Sequence, residues 1–203
     1  MLNTLIVPGV GGSESAHWQS WLHRQLPRST RIEQHNWNLP ILSEWIKPVV
    51  AYLAAQKQPV EVVAHSFGCL TILAALSEHP ELQSRIHRIV LVAPANPNRF
   101  NATGFARDDL EQPNLSAYFA NLRLRVPALL LVSENDPWLS QQDALFWARR
   151  WDIQAINLGA VGHVNVASGF GAWPQIYHYL DSQPELVNLS TTKKINPLFQ
   201  LAI

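Results

Sequence analysis

Three residues of this chain are of the types and in the places that acyl transfer requires. Ser66 lies in Ala64-His-Ser-Phe-Gly68, where the apolar run Val60–Ala64 gives way to a second apolar segment that starts at Phe67. Asp136 follows the run Ala128–Ser133, and His163 follows Ile153–Leu158. A serine hydroxyl is a weak nucleophile until a base takes its proton, and an acid must orient that base. A serine on a tight strand-to-helix turn is held in a strained backbone conformation that exposes its Oγ. The flanking positions must be small. Gly68 meets that need, whereas Ala64 stands where glycine is usual, and its methyl is expected to shift the turn slightly. Each residue also has a plainer role: Ser66 as a helix cap, Asp136 before Pro137 as a turn starter, His163 as a solvated loop histidine. The three together favour the chemistry, because each sits at the carboxyl end of a strand, where sites of open α/β sheets form.

Ser66, Asp136 and His163 follow one another in the chain order of the α/β-hydrolase triad, and the interval from acid to base accommodates one helix and one strand. Glu134 is the alternative acid, but it sits nearer the sheet, less able to reach a base on the next loop. His65 is a poor base, since neighbours at a turn point apart. An oxyanion hole needs backbone N–H donors. Phe67, directly after the nucleophile, should supply one. Val10, in the loop Val7-Pro-Gly-Val-Gly-Gly-Ser13, should supply the other. A dinucleotide would use such glycines differently, and the spacing fails: Glu14 stands where the third glycine should be. No metal set is expected, with no cysteine pair, no His-Glu-x-x-His and scattered histidines, and no cofactor is implied. Trp18, Trp37, Phe67, Trp138 and Trp173 lie near these loops, where aromatic rings would shape an apolar pocket.

The elements that must position these residues alternate. Strands are expected at Leu2–Pro8, Arg31–Trp37 (the weakest), Val60–Ala64, Ile86–Ala93, Ala128–Ser133 and Ile153–Leu158. Several are continuously apolar and rich in Val, Ile and Leu, as in parallel strands covered on both faces. Helices are expected at Ser15–Leu26, about Ser43–Gln56, Phe67–Glu78, Ser140–Trp151 and Ala172–Asp181. Pro48 either kinks the second or marks its first turn, and Ser140-x-x-Asp143 signals a helix start. A shorter helix is expected near Leu115–Leu122, inside the long Pro94–Val126 connection, a segment suited to substrate binding but too short for a large lid. The pattern predicts one α/β domain over residues 1–183, with about six mostly parallel strands in the order 2-1-3-4-5-6 and helices on both faces. Residues 184–203 form a tail.

Composition narrows the class. The chain has 203 residues and is 47% apolar, which suits a globular fold. Its 15 basic and 15 acidic residues cancel, so neither a nucleic-acid face nor a polybasic membrane anchor is expected. The single cysteine, Cys69, cannot form an internal disulfide. The start, Met-Leu-Asn-Thr-Leu, lacks the basic region of a signal peptide, and no apolar stretch is long enough to span a bilayer, so a cytoplasmic location is expected.

The blocks PGVGGSESAHWQSWL, AHSFGC, SENDPW and GHVNVASGFGAWP resemble those of the small serine hydrolases related to retinoblastoma-binding protein 9, over about residues 3–182. The resemblance implies a compact α/β-hydrolase fold, Ser66 as nucleophile, Asp136 as acid and His163 as base. It places His17 and Trp18, a recurrent pair on the first helix, near the cleft; these two and Trp138, one of the aromatic residues near the loops, are the expected substrate-binding residues. It implies hydrolysis of small ester or amide substrates. The Leu-x-Cys-x-Glu motif of the vertebrate member is absent, so a retinoblastoma-type partner is not implied, and partner proteins are unknown. The alternative is a non-catalytic binding module on the same scaffold. A lyase or acyltransferase using the same triad is a third option.

Overall fold

The computed structural model describes residues 2–107 and 112–182; the 184–203 tail lies outside them. Six parallel strands form one sheet: β1 (Asn3–Val7), β2 (Ser29–Arg31), β3 (Val60–Ser66), β4 (Ile86–Pro94), β7 (Ala128–Val132) and β8 (Gln154–Asn157). They run in the order β2-β1-β3-β4-β7-β8. Two-residue strands β5 (Phe100–Asn101) and β6 (Gly104–Phe105) pair separately and antiparallel. Without that ribbon the order is the expected 2-1-3-4-5-6.

The continuous apolar runs are explained by burial on both faces. Leu5, Val7, Val62, Ala64, Leu91 and Leu130 face one core, under α2 (Leu42–Ala55), α3 (Phe67–Glu78), α4 (Ser116–Ala120) and α5 (Gln141–Trp151). The alternate residues Ile6, Val63, Val90, Val92 and Leu131 face a second core with Trp18 and Leu22 of α1 (Trp18–Gln25). Period-two alternation with apolar residues at both phases leaves no polar stripe. α3 is buried almost throughout, from Phe67 to Leu76. Among the described residues no helix is long and apolar enough to cross a membrane.

Two expectations change, and one alternative is decided. The edge strand β2 stops at Arg31: Ile32 N–H makes one more bond to Ile6 O (2.9 Å), after which the chain leaves the sheet. Asn36 Oδ1 accepts from Asn38 N–H, a local turn that a continuing strand would exclude. The expected helix Ala172–Asp181 is only a 3₁₀ turn, Pro174–His178. Trp173, before a proline, is held out of the helical region, and the end of the segment is claimed by other partners. Of the two readings of Pro48 the first-turn one fails: it sits inside α2, where it cannot donate to the Glu44 carbonyl.

The partner that claims the end of the segment is Glu61, fully buried near the start of β3. Its carboxylate accepts from Asp181 N–H (2.7 Å) and Ser182 N–H (2.9 Å), and Thr4 Oγ1 donates to Ser182 Oγ (2.8 Å). This latch fastens the last described residues to the adjacent strands β1 and β3. Glu61→Leu keeps the volume and strands two backbone N–H groups, so urea denaturation should show a loss of about 2–6 kcal/mol, on the order of one to three per unsatisfied donor.

Candidate active site

The site forms at the carboxyl edge of the sheet, where the loops after β1, β3, β4, β7 and β8 converge. Ser66 ends β3 and directly precedes α3. Its backbone is strained, with φ 54° and ψ −125°, and its side chain makes no helix-capping hydrogen bond. The capping role is therefore unfilled, and Ser66 Oγ lies 2.9 Å from His163 Nε2.

Two glycines permit this turn. A Cβ on Gly68 would stand 2.3 Å from the Val7 carbonyl oxygen and 2.5 Å from that of Pro8. A Cβ on Gly9 would stand 2.7 Å from Ser66 Cβ. Ala64 is buried among Leu5, Val7 and Leu70 on the other side of the strand. The β3–β4 register does slip between His65 and Ser66, and Ala93 on the partner strand takes φ 43°.

Asp136 lies in the loop after β7 and is buried. Its Oδ1 accepts from Trp138 N–H (2.8 Å), closing the turn that Asp-Pro forecast. The same carboxylate reaches His163 Nδ1, at 2.9 Å from Oδ1 and 2.8 Å from Oδ2. Turn starter and histidine partner are thus one residue. Glu134 is exposed and accepts from Asn157 Nδ2 (2.8 Å), away from the imidazole. The His163 loop is pinned from the Asp136 side as well. Asn135 Oδ1 accepts from Gly162 N–H (2.7 Å), and Ser133 Oγ accepts from Val161 N–H (3.1 Å).

A cavity of about 240 Å³ opens over Ser66 and His163. Val10, His17 and Trp138 line it, as the sequence suggested; Phe100, Phe105 and Val166 were not foreseen. Trp138 is partly exposed, with its ring 6.0 Å from that of His163 and the Arg99 guanidinium 4.1 Å above its centre. Trp18 does not line the cavity. As the first residue of α1 its ring turns into the core, fully buried against Trp173. Trp37 packs over Gly12 and against Trp45, also outside the cavity. The Phe67 ring is core, between Trp45 and Phe100. Its N–H opens α3, where no helical acceptor exists. In the facing loop Gly11 N–H donates to Trp37 O (3.0 Å) and Gly12 N–H to Gly9 O (3.1 Å), bonds in which the Val10 N–H takes no part. Cys69 is buried in the core, and burial pushes its thiol up, away from the nucleophilic thiolate.

Two further histidines surround His163. His65 and His163 rings are 4.9 Å apart, as are His17 and His65. His17 caps α1: its Nδ1 accepts from Gln19 N–H (3.1 Å), which puts the proton of the neutral ring on Nε2. Burial, then His163, then Arg31 push His17 down to about 4. Burial first, then His163 and His17, hold His65 well below the ordinary value, against an opposing hydrogen bond to the His163 carbonyl.

The family model described as serine hydrolase matches residues 4–182. The chain belongs to the serine hydrolase family. It is 30% identical over 184 residues to YdeN of Bacillus subtilis (strain 168), named as a hydrolase, covering 87% of this chain and 93% of that protein. The crystal structure of a YdeN-like hydrolase from Pectobacterium atrosepticum SCRI1043 superposes with a TM-score of 0.74 at 35% identity, over 89% of both chains. An alpha/beta superfamily hydrolase from Oenococcus oeni PSU-1 shares the fold, with a TM-score of 0.58 at 11% identity over 88% of this chain and 90% of that one. The protein is therefore an α/β-hydrolase-fold enzyme and a hydrolase, which removes the non-catalytic binding module.

The buried histidines make the fold acid-sensitive. Once unfolded, His17 titrates near 6.5, so below that pH the unfolded chain takes up a proton that the folded chain refuses. Its contribution is complete above 6.5 and drains away as the pH falls toward about 4. Urea midpoints measured from pH 7 down to that range should fall, and His17→Asn, which keeps a capping oxygen, should give a shallower decline.

Proposed function

We propose that this hydrolase transfers the acyl group of a small ester or amide to water through Ser66, His163 and Asp136. The observation that carries it is the continuous chain of contacts from Asp136 through both ring nitrogens of His163 to Ser66 Oγ, none longer than 2.9 Å. His163 Nε2 accepts the Ser66 proton as Oγ attacks the carbonyl carbon. The Asp136 carboxylate holds the proton on Nδ1 and stabilises the imidazolium that forms. Negative charge develops on the carbonyl oxygen, which Val10 and Phe67 N–H groups would bind, aided by the positive end of α3. Collapse of the tetrahedral intermediate expels the alcohol or amine, which takes the proton from Nε2. Water, deprotonated by His163, then cleaves the acyl-enzyme and releases the acid and Ser66.

The cavity bounds the substrate. An apolar cavity of roughly 150 Å³ holds one benzene ring, so about 240 Å³ suits a short acyl chain or a single substituted ring rather than a long lipid. Phe100, Phe105 and Val166 offer an apolar wall, and His17 Nε2–H offers a polar donor on the other side. Within the family, the motif blocks favour the small hydrolases related to retinoblastoma-binding protein 9, with a cytoplasmic location and no required cofactor.

A fluorophosphonate probe should label the protein at Ser66, with Ser66→Ala unlabelled; equal labelling of that variant would reject the nucleophile. Asp136→Asn should lower kcat on a p-nitrophenyl ester by up to about 10⁴-fold while leaving the fold intact. His17→Asn should raise KM several-fold with kcat little changed, the cost of roughly one hydrogen bond. Steady-state kinetics on short acyl esters would read both.

A further inference from the structure

His163 sits at a bend that the backbone does not favour. Gly162 before it has φ 63° and Val164 after it has φ 48°. Glycine adopts that region freely, but a β-branched residue there is a rare outlier that its surroundings must hold. Two consecutive carbonyls of the bend are held by ring N–H groups. His65 Nε2–H donates to the His163 carbonyl at 2.9 Å, and Trp18 Nε1–H donates to the Val164 carbonyl at 2.8 Å. Both donor side chains are buried, and their rings meet edge to face, 5.9 Å apart. His65 is the residue before Ser66, so one of the two braces is tied directly to the nucleophile's strand.

We propose that His65 and Trp18 are positioning residues for the base: their N–H groups fix the bend and thereby the reach of His163 to Asp136 and Ser66. The inference rests on the triad described above. Neither residue exchanges a proton with substrate in this role. His65 donates from Nε2 in its neutral form, and Trp18 has one donor and no titration. The groups that face His163 are the Asp136 carboxylate, the uncharged rings of His65 and His17, Glu14 on the cavity wall, and Arg99 on the far side of Trp138.

The experiment compares Trp18→Phe, His65→Leu and His65→Gln by kinetics on a p-nitrophenyl ester, with kcat and KM read separately and kcat expressed per folded molecule from thermal unfolding run alongside. Trp18→Phe keeps an aromatic ring and deletes the N–H. His65→Leu deletes the donor, and His65→Gln returns an amide N–H. Trp18→Phe and His65→Leu should each lower kcat per folded molecule about ten- to a hundredfold, as small misplacements of a reacting group do, with KM little changed. His65→Gln should recover part of the loss. Loss of folded protein alone would leave kcat per folded molecule unchanged. An unchanged kcat per folded molecule in Trp18→Phe and His65→Leu overturns the proposal, and His65→Gln no better than His65→Leu overturns the part assigned to His65. Ser66→Ala separates the two levels: if it stays active, the triad fails and this inference with it; if it is inactive while kcat per folded molecule of the other variants is unchanged, only this inference fails.

Discussion

Ser66 takes a left-handed backbone conformation although it is not glycine, and the rest of the site is arranged around that residue. A residue held in such a region costs on the order of 1–3 kcal/mol and persists only where the surroundings over-determine it. Here β3 is clamped between β1 and β4, and α3 starts without a linker and buries nearly every side chain of its first three turns. The strand and helix cannot both stay packed if Ser66 relaxes. The core thus holds the hydroxyl off the helix end that it would otherwise cap and points it at an imidazole.

Charge at the site is arranged by exclusion. Three imidazole rings lie in a row with 4.9 Å between neighbours, and a mechanism through His163 charges one of them. A second imidazolium at that separation would oppose it by about 3 kcal/mol at an effective dielectric of 20. Burial keeps His17 and His65 uncharged, so Asp136 is the nearest full charge to His163. The neutral rings are then free to act as donors and caps: His65 to a backbone carbonyl, His17 to the first turn of α1. The same burial ties the fold's acid sensitivity to the residues that surround the base.

The sequence carried the sheet and the three central residues because both are local signals. Runs of Val, Ile and Leu without a polar phase mean strands covered twice, and Ser66, Asp136 and His163 each stand at the end of such a run. What it did not carry was set by partners far along the chain. Glu61 reads only as a charge inside an apolar strand until Asp181 and Ser182 arrive to donate to it. Ser133 and Asn135 look like turn residues, yet their acceptor oxygens hold the loop that carries His163. His17 and Trp18 look like one pair with one task. The helix start divides them, since the cap residue stays outside the helix beside the cavity while the next residue turns its ring inward to the second core. Hydrophobic periodicity overstated Ala172–Asp181, where a proline and the Glu61 latch outweigh amphipathic spacing.

Ala64 shows which part of the small-x-Ser-x-Gly pattern is sterically strict. Two approaches to the turn are too close for a Cβ. One is Gly68, packed on the Val7 and Pro8 carbonyls; the other is Gly9, packed on Ser66 from the loop after β1. Neither approach falls on position 64. Ala64 lies two residues before the turn, in extended strand, fully buried in the core cluster that also holds Val7 and Leu70. The constraint there is volume, not conformational freedom, and a methyl satisfies it. The irregularity at the elbow lies on the facing strand, where Ala93 takes a left-handed conformation and Ser66 pairs with Pro94. An alanine at the first position is therefore compatible with a sharp turn as long as Gly9 and Gly68 supply the clearance, and a family pattern with glycine at that position describes a habit of sequence more than a requirement of this geometry.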